Sequence, residues 1–528
     1  MPVLPKSFLT IGAGLQTARM KRRLQETKTA EPAQWRTFQE LMRMFAATSH
    51  GRLNGVKAAM SYANFQARVP LQTYELLAPS ISRMQRGERD VLWPGECTFY
   101  AVTAGTAGAP KTLPVTNALL EHFNRAGRAS LLHYTARSKN ARVFRGRHLF
   151  LGGSTTLAAI RDAEPFVAYA GDISALAALN MPLAIERHLY EPGTAIAQIT
   201  DWTEKIAAVV QRTLAADISL VAGVTPWLLE LAEALLRGAT GGNARPINLQ
   251  MMWPNLECVV HSGVLLTPFY DDLRRAYGPT VNFHEVYAAS EGVIAAQDAT
   301  PGEGLRLIAD AGLFFEFIPA RKYDPARLPS LSADAMPLAS VQAGVDYVLV
   351  LTTPGGLCRY VLGDVVRFIS TEPPRLILVG RTELQLDAFG ENVSEKDLTD
   401  TLLAVCRSHG WNIVNFHVAP LVNPSLTGQV RGRHEWWIEL RAGTVQTPIG
   451  VTLASELDHD LAARNPSYAA RRKADGFETP VVRLVMPGVF EHWMRHQHRW
   501  GGQSKMPRCR RDRLIADGLG AIARFNND

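Results

Sequence analysis

Apolar residues along this chain keep two rhythms. In one they recur every three or four positions, as in the run from Pro32 to Ala47, which predicts an amphipathic helix. In the other they come as short β-branched runs: Cys97–Val102, Glu257–Val260, Tyr347–Leu351, Val365–Ile369 and Arg375–Val379. The first ~90 residues read as helical. Helices are also predicted from about Thr116 to His133, with Thr116 or Asn117 as cap, and over 203–215 and 225–238. Strands alternating with helices predict an α/β fold with its sheet buried on both faces.

After Gly380 and Arg381 the texture changes. A polar, glycine-bearing stretch to Asn392 leads into a helical run over 394–408, a strand-like piece at Glu435–Leu440, a helix over 453–464 and an apolar stretch over 479–487. The expected division is a large N-terminal α/β domain, 1–381, and a smaller C-terminal α+β domain, 382–528. A chain of 528 residues exceeds what one core usually supports, which agrees with two domains.

Composition narrows the class. Hydrophobic residues make up 47% and charged residues 20%, the balance of an ordinary globular protein, and no apolar run is long enough to suggest a membrane span. Basic residues follow the first apolar stretch instead of preceding it, the wrong order for a secretory signal, so a cytoplasmic location is expected. The five cysteines are scattered, which is neither a disulfide framework nor a thiolate zinc site. The net charge of +7 gathers at 471–473 and 499–512 without a recognition motif, so neither nucleic acid nor membrane is an expected partner, and a monomer is expected.

Three stretches carry candidate chemistry. Thr103 to Lys111 suits polyphosphate: Gly105 and Gly108 let backbone N–H groups approach an anion, Thr103 and Thr106 add hydroxyls, and Lys111 adds a mobile charge. It is not a Walker A loop, because Pro110 stands where such a loop needs glycine and lacks the N–H it would donate. A turn between strand and helix that binds nothing is the plain alternative. The second stretch, Phe283 to Gly292, reads as a strand running into a polar turn, where Tyr287 can stack on a purine and Glu291 can hold Mg²⁺. The third, Gly356 to Asp364, reads as a tight Gly-Asp turn whose carboxylate can accept both ribose hydroxyl protons. A core tyrosine, a solvated glutamate and a turn aspartate remain the alternatives. A histidine group at His492, His496 and His498 has the spacing of a zinc pair, but Arg495 and Arg499 disfavour a dication.

Taken in order, the three stretches and the following Gly380–Arg381 resemble the adenylate-forming superfamily of acyl-CoA synthetases, adenylation domains and luciferases. The finer resemblance is to the auxin-responsive acyl acid–amido synthetases, the Gretchen Hagen family. It is carried by Gly171–Ser174, Asp201–Lys205, Gly223–Trp227, Trp253–Leu256, Phe314–Ile318, Arg359–Val366, Leu457–Asp458, Asn465–Tyr468 and Gly502–Arg508. The resemblance implies a C-terminal domain that rotates between half-reactions. ATP with Mg²⁺ would be cosubstrate, and a small carboxylic acid (aryl, indole or oxo-lipid) would be joined to an amino acid. It assigns Thr103–Lys111 to the phosphates, Tyr287, Ala288, Ser290 and Glu291 to adenine and metal, Asp364 to ribose, and Arg381 to the nucleotide. Lys505 becomes the lysine that contacts carboxylate and α-phosphate. The helix after the phosphate loop would line the acyl pocket, making Arg125, Arg128 and Tyr134 candidates. Ala104, Ala107 and Val361 depart from the family pattern. An acid–CoA ligase, or a nucleotide binder without turnover, is the alternative.

Overall fold

The structure is a computed structural model that describes residues 6–103, 111–163, 166–239, 246–264, 266–382, 384–423, 431–441, 450–497 and 506–525. Its chain divides into two compact units, the first running to Ile377 and the second taking in Gly363–Val365 and Leu378–Asp528. Among the described residues no helix is long and apolar enough to cross a membrane.

A twelve-stranded sheet dominates the first unit. At one end five strands, Asn282–Ala289, Cys258–Ser262, Ile218–Val224, Arg147–Phe150 and Tyr190–Glu191, lie side by side and parallel. Parallel strands need crossover connections, and helices cover both faces of these strands. On one face Trp202–Thr213, Thr225–Gly238 and Tyr270–Tyr277 cover a core of Leu149, Val221, Leu228, Leu231, Trp253, Val259 and Tyr277. On the other, Tyr134 of the long helix packs with Val143, Leu220 and Cys258. A four-stranded sheet, ordered Lys111–Val115, Phe99–Thr103, Phe166–Gly171 and Ala158–Ala163, forms a separate layer.

The expected helix after Thr116 runs from Asn117 to Ser138, beyond the His133 expected from the pattern, and ends where Lys139 adopts φ +56°. Thr116 is the cap: its hydroxyl accepts from Leu119 N–H at 3.1 Å and donates to the Pro354 carbonyl at 2.5 Å. Asp201 likewise caps Trp202–Thr213.

Two local expectations are corrected. The stretch from Thr103 to Lys111 does not lead from strand to helix; it joins two antiparallel strands, with Thr103 registered opposite Lys111. Gly363 and Asp364 do not form a turn but lie within the strand Tyr360–Thr371, where Gly363 takes φ +84°. Apolar residues continue on both sides, so one glycine in the left-handed region bends the strand without ending it.

The second unit holds a three-stranded sheet, with Ile413–Asn423 antiparallel to Arg431–Leu440 and Val481–Val485 parallel to the latter. The helices Glu395–Ser408 and Gly450–Arg464 contribute Leu398, Leu402, Leu453 and Leu457 to its core, with Trp436 and Tyr468. Inside it the fully buried Glu391 accepts from Phe389 N–H, and its other oxygen meets His434 Nε2 at 2.9 Å.

Candidate active site

Ligands of open α/β sheets bind beyond the carboxyl ends of the parallel strands. Here those ends carry Leu151 to Ser154, Gly223 and Val224, Ser262 and Gly263, and Ala288 to Glu291. Tyr287 lies inside the strand Asn282–Ala289, is 8% exposed, and is registered opposite Ala295. Ala288 follows it, and Ser290 and Glu291 form the connection to the antiparallel strand Gly292–Ala296. The sequence therefore places Tyr287, Ala288, Ser290 and Glu291 on one hairpin.

His122 holds that hairpin from the long helix. Its Nδ1 lies 3.0 Å from the Ala311 carbonyl, and its Nε2 accepts the Val293 N–H at 2.9 Å. Those roles require the neutral ring with its proton on Nδ1, and burial keeps it neutral by lowering its pKa to about 4. Gly292 takes φ +153°, and a Cβ there would lie 2.8 Å from His122 Nε2. Sequence reasoning did not find His122; its imidazole meets Val293 across a sequence separation of 171.

Lys205, in the stretch Asp201–Lys205, does comparable work for the Leu151–Ser154 end. It is 3% exposed and its ammonium donates to the carbonyls of Gly153 at 2.8 Å and Ala197 at 3.0 Å. Burial lowers its pKa to about 8, a drop that the nearby Asp172 charge limits. Trp202 packs against Trp227, with ring centroids 5.0 Å apart and planes tilted by 54°, and donates to Glu230, tying Asp201–Lys205 to Gly223–Trp227.

Lys111 opens the strand Lys111–Val115, and its ammonium lies 5.6 Å above the Tyr74 ring. Thr103 ends the partner strand. Gly105, Thr106 and Gly108 lie outside the described residues, as do Lys505 and His498.

The three acyl candidates on the long helix separate. Arg125 and Arg128 are exposed, Arg125 lying 3.8 Å from Glu121 on its own helix. Tyr134 is completely buried, and its hydroxyl donates to the Glu257 carbonyl. Glu257 precedes the first residue of the strand Cys258–Ser262, so Tyr134 sits at the amino ends of the parallel strands, away from the ligand-binding end. The resemblance pointed to the helix but not to which end of the sheet each of its residues reaches.

In the second unit Asp364 is 1% exposed, and Arg381 Nε lies 2.8 Å from its Oδ1. The two residues assigned to the nucleotide thus meet each other. The residues directly after Lys505 are stitched to the strand Ile413–Asn423: His417 Nδ1 lies 2.8 Å from the Pro507 carbonyl, and Val418 N–H donates to the Arg508 carbonyl at 2.8 Å. Arg359, by contrast, works in the first unit: buried, with φ +48°, it binds Glu316 through Nε and Nη2 at 3.0 and 2.9 Å and donates to the Val69 carbonyl.

Comparison with known proteins covers nearly the whole chain. Three family descriptions match in order: the GH3 family N-terminal domain over residues 19–283, the central domain over 306–381 and the C-terminal domain over 396–514. The chain is 25% identical to the indole-3-acetic acid-amido synthetase GH3.8 of Oryza sativa subsp. indica, across 92% of this chain and 89% of that protein. Among solved structures it resembles the GH3.15 acyl acid amido synthetase with a TM-score of 0.74 at 18% identity, covering 95% of this chain and 94% of that one. A 2-hydroxyisobutyryl-CoA ligase in its postadenylation state shares the fold at a TM-score of 0.56 and 16% identity, over 97% and 91% of the two chains.

Proposed function

This chain belongs to the GH3 family, and from that premise we propose that it uses ATP to activate a small carboxylic acid as an acyl-adenylate and then passes the acyl group to the amine of an amino acid. It is an AMP-forming, amide-synthesising enzyme. The observation that carries this reading is the match in order and nearly end to end, over residues 19–514, to all three parts of the family.

A carboxylate is a poor electrophile because its charge is delocalised and its oxygen leaves badly. Attack by that oxygen on the α-phosphorus of ATP forms a carboxylic–phosphoric anhydride and releases pyrophosphate. The amine then attacks the acyl carbon, loses a proton, and expels AMP. Little covalent work falls to the protein in this scheme, so positioning and charge neutralisation do most of it. Lys111 offsets the charge of the departing pyrophosphate, and Lys505 meets the α-phosphate and the carboxylate. Asp364 accepts the ribose hydroxyl protons, with Arg381 at its side. Tyr287 faces the purine, flanked by Ala288 and Ser290.

Magnesium suits the donor set. Mg²⁺ binds through one or two carboxylates together with waters and phosphate oxygens, and Glu291 offers a carboxylate on a connection whose next strand is anchored by His122. When bound it neutralises phosphate charge.

The test is acid-dependent exchange of labelled pyrophosphate into ATP over a panel of indole, benzoate, phenyl and oxo-lipid acids, followed by addition of amino acids or CoA. Exchange with one acid class, and an amide product only with an amino acid, is the expected result. A thioester formed only with CoA would replace this reading by that of an acid–CoA ligase, and no exchange with any acid would overturn both.

A further inference from the structure

Side chains alternate along the strand Asn282–Ala289. His284 turns toward the long helix, where its Nε2 lies 2.9 Å from the Ser130 hydroxyl. Phe283 turns to the opposite face, into the core with Leu151, Leu228 and Tyr277, and its ring lies 6.4 Å from that of His261 in an edge-to-face contact. Glu285 and Tyr287 share the face of Phe283. In the sheet His261 is registered opposite Glu285 on one side and Gly223 on the other. Register partners on parallel strands point the same way, and their strands lie about 4.8 Å apart. A carboxyl group and an imidazole therefore occupy one patch of this face, next to a position with no side chain.

The patch is placed to meet a ligand. It lies toward the carboxyl ends of the parallel strands, and Glu285 sits two residues, about 6.6 Å, before Tyr287 on the same face. An acid reacting with ATP held at Tyr287 and Glu291 would extend its body in this direction. Buried polar atoms in folded proteins are nearly always bonded. Yet His261 is 2% exposed and its Nδ1 has no hydrogen-bond partner among the described residues. The Glu285 side chain is half-buried, and burial raises its carboxyl pKa while lowering that of His261.

We infer that Glu285 and His261 are the specificity element for the acyl acid, selecting an acid whose body carries a hydrogen-bond donor, a hydroxyl or N–H, remote from its carboxylate. The inference rests on the reading of the chain as an acid-adenylating enzyme. A plain hydrocarbon body leaves both groups unbonded when water is expelled, and a second carboxylate meets the Glu285 carboxyl. Sites built to bond a substrate hydroxyl or N–H discriminate strongly against analogues that lack it.

The experiment uses the full chain and acid-dependent pyrophosphate exchange with matched pairs: indole-3-acetate against naphthalene-1-acetate, and 4-hydroxyphenylpropionate against phenylpropionate. The wild-type chain should favour the donor-bearing acid of each pair by at least about tenfold in kcat/KM. Glu285→Val should bring that ratio to about one or below it, whereas Glu285→Gln, which still accepts a hydrogen bond, should keep most of it. His261→Phe gives an independent route to the same loss should Glu285→Val fail to fold, and ATP binding should be unchanged in all three. Exchange without discrimination in the wild type overturns the inference alone, as does an unaltered ratio in Glu285→Val. Absence of exchange with every acid overturns the ligase reading and this inference with it.

Discussion

Arg359 and Arg381 both hold a buried carboxylate, and the contrast between them separates structure from chemistry. The side chains of Arg359 and Glu316 are 0% and 1% exposed, and the guanidinium also donates to Val69 and to Ser332. Its hydrogen-bonding capacity is spent inside the protein, where it joins the strand Phe314–Pro319 to the residues around Gln66 and Val69. Arg381 is 39% exposed while its partner Asp364 is 2% exposed in side-chain terms. A guanidinium open to water can be rearranged at small cost; one sealed in cannot. Proximity in sequence and shared membership of family-like motifs therefore do not make the two arginines functional equivalents. Lys205 is a third case: buried like Arg359, but held by two carbonyl oxygens.

The largest effect expected on this comparison is at the sealed pair. Arg359→Met leaves Glu316 as an uncompensated buried charge beside Tyr62, which also donates to it, and removing one partner of such a pair typically costs about 3–5 kcal/mol. Urea denaturation should show that loss, while the ATP KM of the folded fraction stays near wild type. A large rise in ATP KM with unchanged stability would instead place Arg359 among the nucleotide contacts.

Lys205 should give the next largest effect, and only with pH. Burial lowers its native pKa to about 8, whereas the unfolded side chain titrates near its ordinary value of about 10.4. Between those values the unfolded chain binds the proton and the native chain does not, so stability rises with pH across the window, and below pH 8 the full cost of burying the charge is present. The neutral amine still has two N–H donors for the Gly153 and Ala197 carbonyls. Relative to Lys205→Met, the wild type should gain about 3 kcal/mol between pH 7.5 and 10.5, read from urea midpoints at matched ionic strength. A flat difference would mean that the native lysine titrates normally.

How far these roles could be read beforehand depends on whether the information was local. The strands at Cys258–Ser262 and Asp346–Thr352, and the helices Trp202–Thr213 and Thr225–Gly238, follow from apolar periodicity within one short stretch. So does the cap at Thr116. The hairpin joining Thr103 to Lys111 was missed because five residues of Lys111–Val115, including Pro114, carry too little pattern to distinguish a strand from a helix lead-in. Gly363–Asp364 was read as a turn because glycine before aspartate marks one locally; only the continuing ladder shows that the strand persists. Tyr134 was a candidate because the resemblance has its helix line the acyl pocket, but a helix of 22 residues passes both ends of the sheet, and Tyr134 lies at the amino end. His122, Glu285 and His261 had no local signal: sheet register and a long-range hydrogen bond assemble them. The grouping of Lys111, Lys505 and Asp364 around one nucleotide likewise comes from the family resemblance.

Asp364→Asn should be felt mainly in function. The carboxylate is the acceptor proposed for two ribose hydroxyls, and a hydrogen bond to a charged group is worth about 1.5–3 kcal/mol, so ATP KM in pyrophosphate exchange should rise roughly ten- to a hundredfold. The amide keeps the size of the side chain, so the urea midpoint should move far less than in Arg359→Met. A stability loss as large as that of Arg359→Met, with ATP KM unmoved, would make Asp364 a structural residue.

Arg381→Gln should have the smallest effect of the four, and its size relative to Asp364→Asn tests the division of labour between them. The half-open guanidinium orients the Asp364 carboxylate and screens its charge, and exposed or partly exposed ion pairs contribute about 0.2–1 kcal/mol. The expected rise in ATP KM is therefore about two- to fivefold at low ionic strength, shrinking as salt screens the pair. In the double substitution with Asp364→Asn the Arg381 effect should largely disappear, because a residue acting through the carboxylate has nothing left to orient. Full additivity of the two effects would show that Arg381 reaches the nucleotide independently, and an Arg381→Gln effect larger than that of Asp364→Asn would reverse their roles.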